Sequence, residues 1–143
     1  MARANVLLVD DEAPFVEALT KRLLKRGLDI TPAYDATQAL HKLEEIQTIE
    51  VVILDVKMPE IDGIEALQQI KTAHPLVEVI MLTGHATVES AIEGMKLGAF
   101  DYLMKPCDID ELIAKVDQAA AKRQEHVEKI MQARIKEIAS RRD

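Results

Sequence analysis

Tryptophan is missing from this chain, and two tyrosines and two phenylalanines are its only aromatic residues. That scarcity leaves no platform on which bases could stack, which argues against binding of single-stranded nucleic acid. Cysteine is scarcer still. Cys107 has no second cysteine to pair with, so no internal disulfide can form, and the chain fits a reducing cytoplasm. No apolar run approaches the roughly 20 residues a membrane-spanning helix requires. The amino terminus, Met1-Ala2-Arg3-Ala4-Asn5, lacks the apolar stretch of a secretory signal and is expected to carry none. Positive charge is in deficit as well. A net charge of -7 disfavours general affinity for nucleic acid or for an anionic membrane.

What the chain has is a supply of Leu, Ile, Val, Ala and Met within a 48% hydrophobic composition, enough to build a sizeable core over 143 residues. That length suits one domain with an appended element. The apolar residues fall into alternating short runs and helical stripes. Residues 6–9, 28–33, 51–54, 77–82 and 99–104 read as strands. Between them lie helical patterns. One starts at Pro14 with Asp10 or Asp11 near its N-cap, carries Phe15, Leu19, Leu23 and Leu24 on one face, and is stopped by Gly27. A second spans 36–45. A third places Ile64, Leu67 and Ile70 toward the core, after a loop at 58–63. A fourth carries Val88, Ala91, Ile92 and Met95 and ends near Gly98, and Thr83-Gly84-His85 reads as the loop before it. Five strands alternating with helices predict an α/β fold, a doubly wound parallel sheet covered on both faces.

The last helix is longer than such a domain needs. No Gly or Pro interrupts residues 109–139. Leu112, Ile113, Val116 and Ala120 can pack on the sheet, whereas Val127, Ile130, Met131, Ile135 and Ile138 continue at helical spacing beyond it. A domain at 1–121 and a helical extension at 122–143 are therefore expected. The segment 119–143 holds seven Lys and Arg against four Asp and Glu, so its charge is opposite to that of the body. Its apolar stripe predicts pairing with a partner or a second copy, with a frayed tail as the alternative.

Chemistry-bearing residues follow the strands. Asp55 comes directly after Val51-Val52-Ile53-Leu54, Asp10-Asp11-Glu12 after Val6-Leu7-Leu8-Val9, and Lys105 after Tyr102-Leu103-Met104. In an open parallel sheet the carboxyl ends of the strands share one rim, where ligands bind. Mg²⁺ takes oxygen ligands octahedrally, with one or two carboxylates and phosphate oxygens. Asp11 and Asp55 can supply carboxylates, Asp10 can act directly or through water, and a backbone carbonyl near Lys57 can complete the protein share. A carboxylate can attack phosphorus to form an acyl phosphate, while Lys105 and the Thr83 hydroxyl hold the other phosphoryl oxygens. Taken singly, each aspartate is equally well explained as a helix cap or turn residue. The four histidines form no metal cluster.

Asp10-Asp11, Asp55 with Met58-Pro59 and Asp62-Gly63, Thr83-Gly84 and Lys105-Pro106 together resemble the receiver domain of two-component response regulators, over residues 5–121. Leu82-Thr83-Gly84-His85-Ala86 with Gly98-Ala99-Phe100-Asp101-Tyr102 is most similar to receivers of enhancer-binding, sigma-54-type transcription activators. The resemblance implies the strand order 2-1-3-4-5. It implies that Asp55 accepts phosphate from a sensor histidine kinase, and that Mg²⁺ (or Mn²⁺) is held by Asp10, Asp11, Asp55 and the Lys57 carbonyl. It further implies that Lys105 contacts the phosphate, that Thr83 and Tyr102 form the switch, and that the peptide before Pro106 is cis. A stand-alone receiver and a fragment of a longer regulator both remain open.

Phosphorylation is then expected to draw Thr83 toward the new oxygens, to let Tyr102 fill the vacated space, and to remodel the face made by the fourth helix, the fifth strand and the last helix. Lys57 and His85 are expected to tune the lifetime of the acyl phosphate. The alternative from another class is a metal-dependent phosphohydrolase with an aspartyl nucleophile. It would want a second acid two residues after the nucleophile, where this chain has Lys57. A dimerising scaffold that has lost phosphorylation is opposed by the intact Asp11, Asp55, Thr83 and Lys105.

Overall fold

The computed structural model describes residues 4–56, 62–84 and 87–141. Strands and helices alternate strictly, as β1 (Asn5–Val9), α1 (Ala13–Lys25), β2 (Asp29–Ala33), α2 (Ala36–Glu45), β3 (Val51–Leu54), α3 (Gly63–Ala73), β4 (Glu78–Thr83), α4 (Val88–Lys96), β5 (Asp101–Met104) and α5 (Ile109–Ser140). The five strands form one parallel sheet in the order 2-1-3-4-5.

The inner strands β1, β3 and β4 carry unbroken apolar runs because both faces of the sheet are covered there, whereas the edge strands β2 and β5 are only partly buried. Alternate residues serve opposite cores. Leu7, Val9, Val52, Leu54, Val79 and Met81 face α2 and α3, and bury Ala39, Leu43, Leu67 and Ile70. Val6, Leu8, Val51, Ile53, Ile80 and Leu82 face α1 and α5, and bury Val16, Leu23, Leu112 and Val116. A one-residue slip of any strand would exchange the two sets.

Helix boundaries follow local chemistry. Asp35 and Asp62 cap α2 and α3, each carboxylate accepting from a backbone N–H three residues on, at 2.8 and 2.9 Å. Thr87 and Ser90 form a reciprocal capping box at the start of α4. After α1 and α4 the chain turns through Gly27 (φ +89°) and Gly98 (φ +103°), values that side chains rarely tolerate.

The structure refines two readings of the sequence and corrects two, Leu24 and Thr83. The N-cap of α1 is Glu12, with no side-chain cap bond, because Asp10 instead accepts from the Glu12 N–H and turns inward. Leu24 points to solvent, and Val16 takes its place in the buried face. Thr83 is the last residue of β4 and fully buried, not part of the following loop. The α4 stripe of Val88, Ile92 and Met95 is exposed, and Gly94 is the buried residue of that helix.

The last helix is as long as its sequence implies. Its 32 residues span about 48 Å at 1.5 Å each. Ile109, Leu112, Val116 and Ala119 are buried against the sheet, while Ile130, Met131, Ile135 and Ile138 lie exposed beyond it. Among the described residues no helix is long and apolar enough to cross a membrane.

Candidate functional site

Backbone hydrogen bonds carry the sheet one residue past several strand ends, and those residues carry the chemistry. The Asp10 N–H donates to Ala33 O at 3.1 Å, the Asp55 N–H to Val9 O at 3.0 Å, and the Lys105 N–H to Thr83 O at 2.9 Å. Each side chain is thereby fixed by sheet geometry rather than by a free loop. Asp10 and Asp55 are 1% and 2% exposed, so two carboxylates are withdrawn from water side by side. Asp11, the next residue along, stays exposed. One oxygen of each of the three carboxylates lies within 4.8 Å of the others.

Lys105 enters this acidic cluster from β5. Its Nζ is 2.6 Å from Asp10 Oδ2, 3.3 Å from Glu12 Oε1 and 4.0 Å from Asp55 Oδ2. It also sits 4.0 Å from the centroid of the Phe15 ring, whose face favours a cation. Burial alone would lower the lysine pKa, but the surrounding carboxylates, Asp10 above all, outweigh it and raise the value above 10.5. The Asp10 carboxyl is raised above 3.8. Burial is the main cause, hydrogen bonds from Lys105 and the Glu12 N–H oppose it, and the charge of Asp55 adds to it.

This donor set suits a small hard cation. Ligands on opposite sides of an octahedral Mg²⁺ are about 4.2 Å apart, twice the 2.1 Å bond, and adjacent ones are closer. Three carboxylate oxygens within 4.8 Å therefore need little movement to share one ion, which would also offset the repulsion that raises Asp10.

The backbone beside Asp55 demands a glycine. The Gly63 N–H donates to Val56 O at 2.5 Å, and a Cβ at that position would run into Asp55 O and the Val56 backbone. Lys105–Pro106 is cis, as the resemblance implied.

Of the residues expected at the site, Asp10, Asp11, Asp55 and Lys105 come together, and Thr83 lies on the same rim at the end of β4, beside Met104 of β5. Lys57, with its carbonyl, and His85 lie outside the described residues. Tyr102 is half-buried on β5, its hydroxyl 2.9 Å from Ser90 Oγ on α4. Sequence reasoning missed the Ser90 contact, the Glu12 contact to Lys105 and the Phe15 ring beneath the ammonium. Glu12 and Phe15 were at least suggested by their closeness in sequence to Asp11. Nothing in the sequence ties Ser90 to Tyr102, since that pairing depends on how α4 lies against β5.

Comparison with known proteins agrees with this geometry. The family model of the response regulator receiver domain matches residues 6–117. The chain is 38% identical over 125 residues to the DNA-binding transcriptional regulator NtrC of Escherichia coli (strain K12), covering 87% of this chain and 26% of the relative. It is 38% identical over 117 residues to the transcriptional regulatory protein ZraR of the same strain, covering 82% of this chain and 26% of that protein. The chain thus spans about a quarter of the length of these curated relatives. Among solved structures, a response regulator receiver domain protein from Clostridium thermocellum superposes with a TM-score of 0.80 at 35% identity, covering 85% of this chain and 97% of that one. The expected likeness to receivers of enhancer-binding activators is met by these relatives. An acidic rim closed by one lysine, on a 2-1-3-4-5 sheet whose sequence the family model covers almost from end to end, places this chain in the response regulator receiver domain family, the phosphoacceptor signalling modules of two-component systems.

Proposed function

We propose that Asp55 is the phosphoacceptor, taking a phosphoryl group from a sensor histidine kinase in a Mg²⁺- or Mn²⁺-dependent reaction. The observation that carries this is the convergence of Asp10, Asp11 and Asp55 with Lys105 Nζ 4.0 Å from Asp55. In the reaction an Asp55 carboxylate oxygen attacks phosphorus and the P–N bond to the donor imidazole breaks. That nitrogen keeps the electron pair and recovers a proton. Catalysis of such a loose transfer is mostly positioning and charge neutralisation. A cation held by Asp10, Asp11, Asp55 and the Lys57 carbonyl would neutralise phosphoryl charge. Lys105 is close enough to Asp55 to pair with a phosphoryl oxygen there, and Thr83 is on the rim to donate a second contact. The chain thus acts as a cytoplasmic signalling module rather than a turnover enzyme, with self-phosphorylation and slow self-dephosphorylation its only chemistry.

Residues 1–121 act as the receiver and 122–143 as a helical extension. Thr83 and Tyr102 couple Asp55 to the face formed by α4, β5 and α5, and the extension or that face pairs with a second copy. The Ser90–Tyr102 contact supports this coupling, because it ties the tyrosine's position to α4.

Mass spectrometry after incubation with acetyl phosphate and Mg²⁺ tests the acceptor. The expected result is one adduct of about 80 Da that maps to Asp55 and is absent from Asp55→Asn. Rapid turnover of many phosphate esters would instead favour the phosphohydrolase, and no reaction at all the scaffold. The switch is tested by Tyr102→Ala, with oligomeric state measured before and after phosphorylation. The response to phosphate is expected to be lost while the adduct still forms. An unchanged response removes Tyr102 from the mechanism.

A further inference from the structure

A hollow of about 280 Å³ opens at the end of the sheet opposite Asp55, where the chain enters β3 and β4. Leu43 and Ile46 from the end of α2, together with Ile49 and Val77, give it apolar walls. His74, after α3, Arg123, on α5, and Gln47, after α2, supply its polar side chains. The volume lies just under the lower end of typical small-molecule sites, about 300 Å³.

Arg123 is the unusual member. It is half-buried, and its Nε is stripped of water without an acceptor, which is a standing cost for a charged donor. Among the described residues it has no ion-pair partner. Its chain neighbour Lys122 does have one, with Nζ 3.5 Å from Glu78 Oε2. His74 Nε2 lies 3.2 Å from Glu44 Oε1 but makes no hydrogen bond, and that buried nitrogen too is left without a partner. Two nitrogens without hydrogen-bond partners, together with the exposed Gln47 amide, are therefore the polar part of a hollow whose other lining side chains are apolar.

We propose that this hollow binds a small carboxylic acid with an apolar body. The guanidinium fork of Arg123 takes the carboxylate, a geometry it matches with two parallel hydrogen bonds. His74 offers a further donor, and the apolar body covers Leu43, Ile46, Ile49 and Val77. The site is separate from the phosphorylation rim. It joins α5, near the point where that helix leaves the sheet, to α2 and to the turn before β4. Occupancy would therefore hold the direction in which the extension projects.

The test is a titration of the full chain with octanoate, followed by NMR. Saturable shifts are expected at Leu43, Ile49 and Arg123, with octanol at least ten-fold weaker. Arg123→Gln is expected to weaken octanoate at least ten-fold while Asp55→Asn leaves it unchanged. Should Arg123→Gln lower the melting temperature, the exposed Gln47→Glu is read in its place, since it sets a like charge on the hollow's rim. No saturation up to about 5 mM, equal binding of octanol, or unchanged affinity in the variant read overturns the proposal.

Discussion

Asp10 carries an electrostatic cost in the rim. Its pKa is raised above 3.8 in the folded chain, chiefly by burial, so the folded state holds that proton more tightly than the unfolded state does. The sign follows: ionised Asp10 costs stability that sets in as pH rises past 3.8 and is complete above the folded value. In the presence of a chelator, Asp10→Asn is therefore expected to raise the melting temperature at pH 7. The gain should shrink as pH is lowered toward 3.8 in a series of thermal melts. The same substitution should reduce the stabilisation that Mg²⁺ confers, since an ion bound to the folded state at 100 times its Kd is worth about 2.7 kcal/mol. A lower melting temperature for the variant without Mg²⁺ would show that the Lys105 pair outweighs burial. Gly63 is a second residue whose identity is dictated by its neighbours. Gly63→Ala forces a Cβ into the backbone of Asp55 and Val56. Urea unfolding is expected to register a loss of about 3 kcal/mol or more, and whatever folded fraction remains should form less adduct at Asp55.

Among the elements, α4 and α5 differ from the rest in how little of themselves they commit to the core. α4 buries only Gly94 and leaves Val88, Ile92 and Met95 to solvent. Packing of this kind leaves an element easily displaced, as the switch proposed above requires of α4. What holds it is local: the Thr87–Ser90 capping box at one end and the Ser90–Tyr102 hydroxyl pair on the side facing β5. By contrast the first half of α5 is anchored by three ion pairs, the first between Asp110 and Arg26 at the end of α1. Lys115 Nζ lies 2.8 Å from Asp101 Oδ2 of β5, and Lys122 reaches Glu78 at the base of β4. Periodicity in the sequence correctly marked α4 as amphipathic, but a stripe of Val, Ile and Met reads the same whether it faces core or solvent. Leu24 in α1 was misplaced for that reason.

For the whole molecule, the question is what the outer half of α5 does. Ile130, Met131, Ile135 and Ile138 are 42–63% exposed along one stretch of helix, with no sheet beneath them. A second copy of the same helix would cover that stripe. Ile135→Glu with Ile138→Glu is expected to shift the chain from dimer to monomer in sedimentation equilibrium, while phosphorylation of Asp55 and the melting temperature of the receiver body change little. A dimer that survives both substitutions would place the contact on the α4–β5–α5 face instead.

Much of the architecture was legible because it rests on local rules. Strands buried on both faces must be continuous apolar runs, and helices between them must show a stripe, so element order and the Asp10, Asp55 and Lys105 strand-end positions could be read from residues 5–121 directly. Caps such as Asp35 and Asp62 are equally local. Folding alone decided which groups meet across distance. Lys105 pairs with Asp10 from 95 positions away, Phe15 lies under that ammonium, Glu78 is divided between two lysines, and among the described residues the Arg123 Nε is buried without a partner. Such contacts depend on the twist of the sheet and the tilt of each helix upon it, which one-dimensional patterns of polarity do not encode.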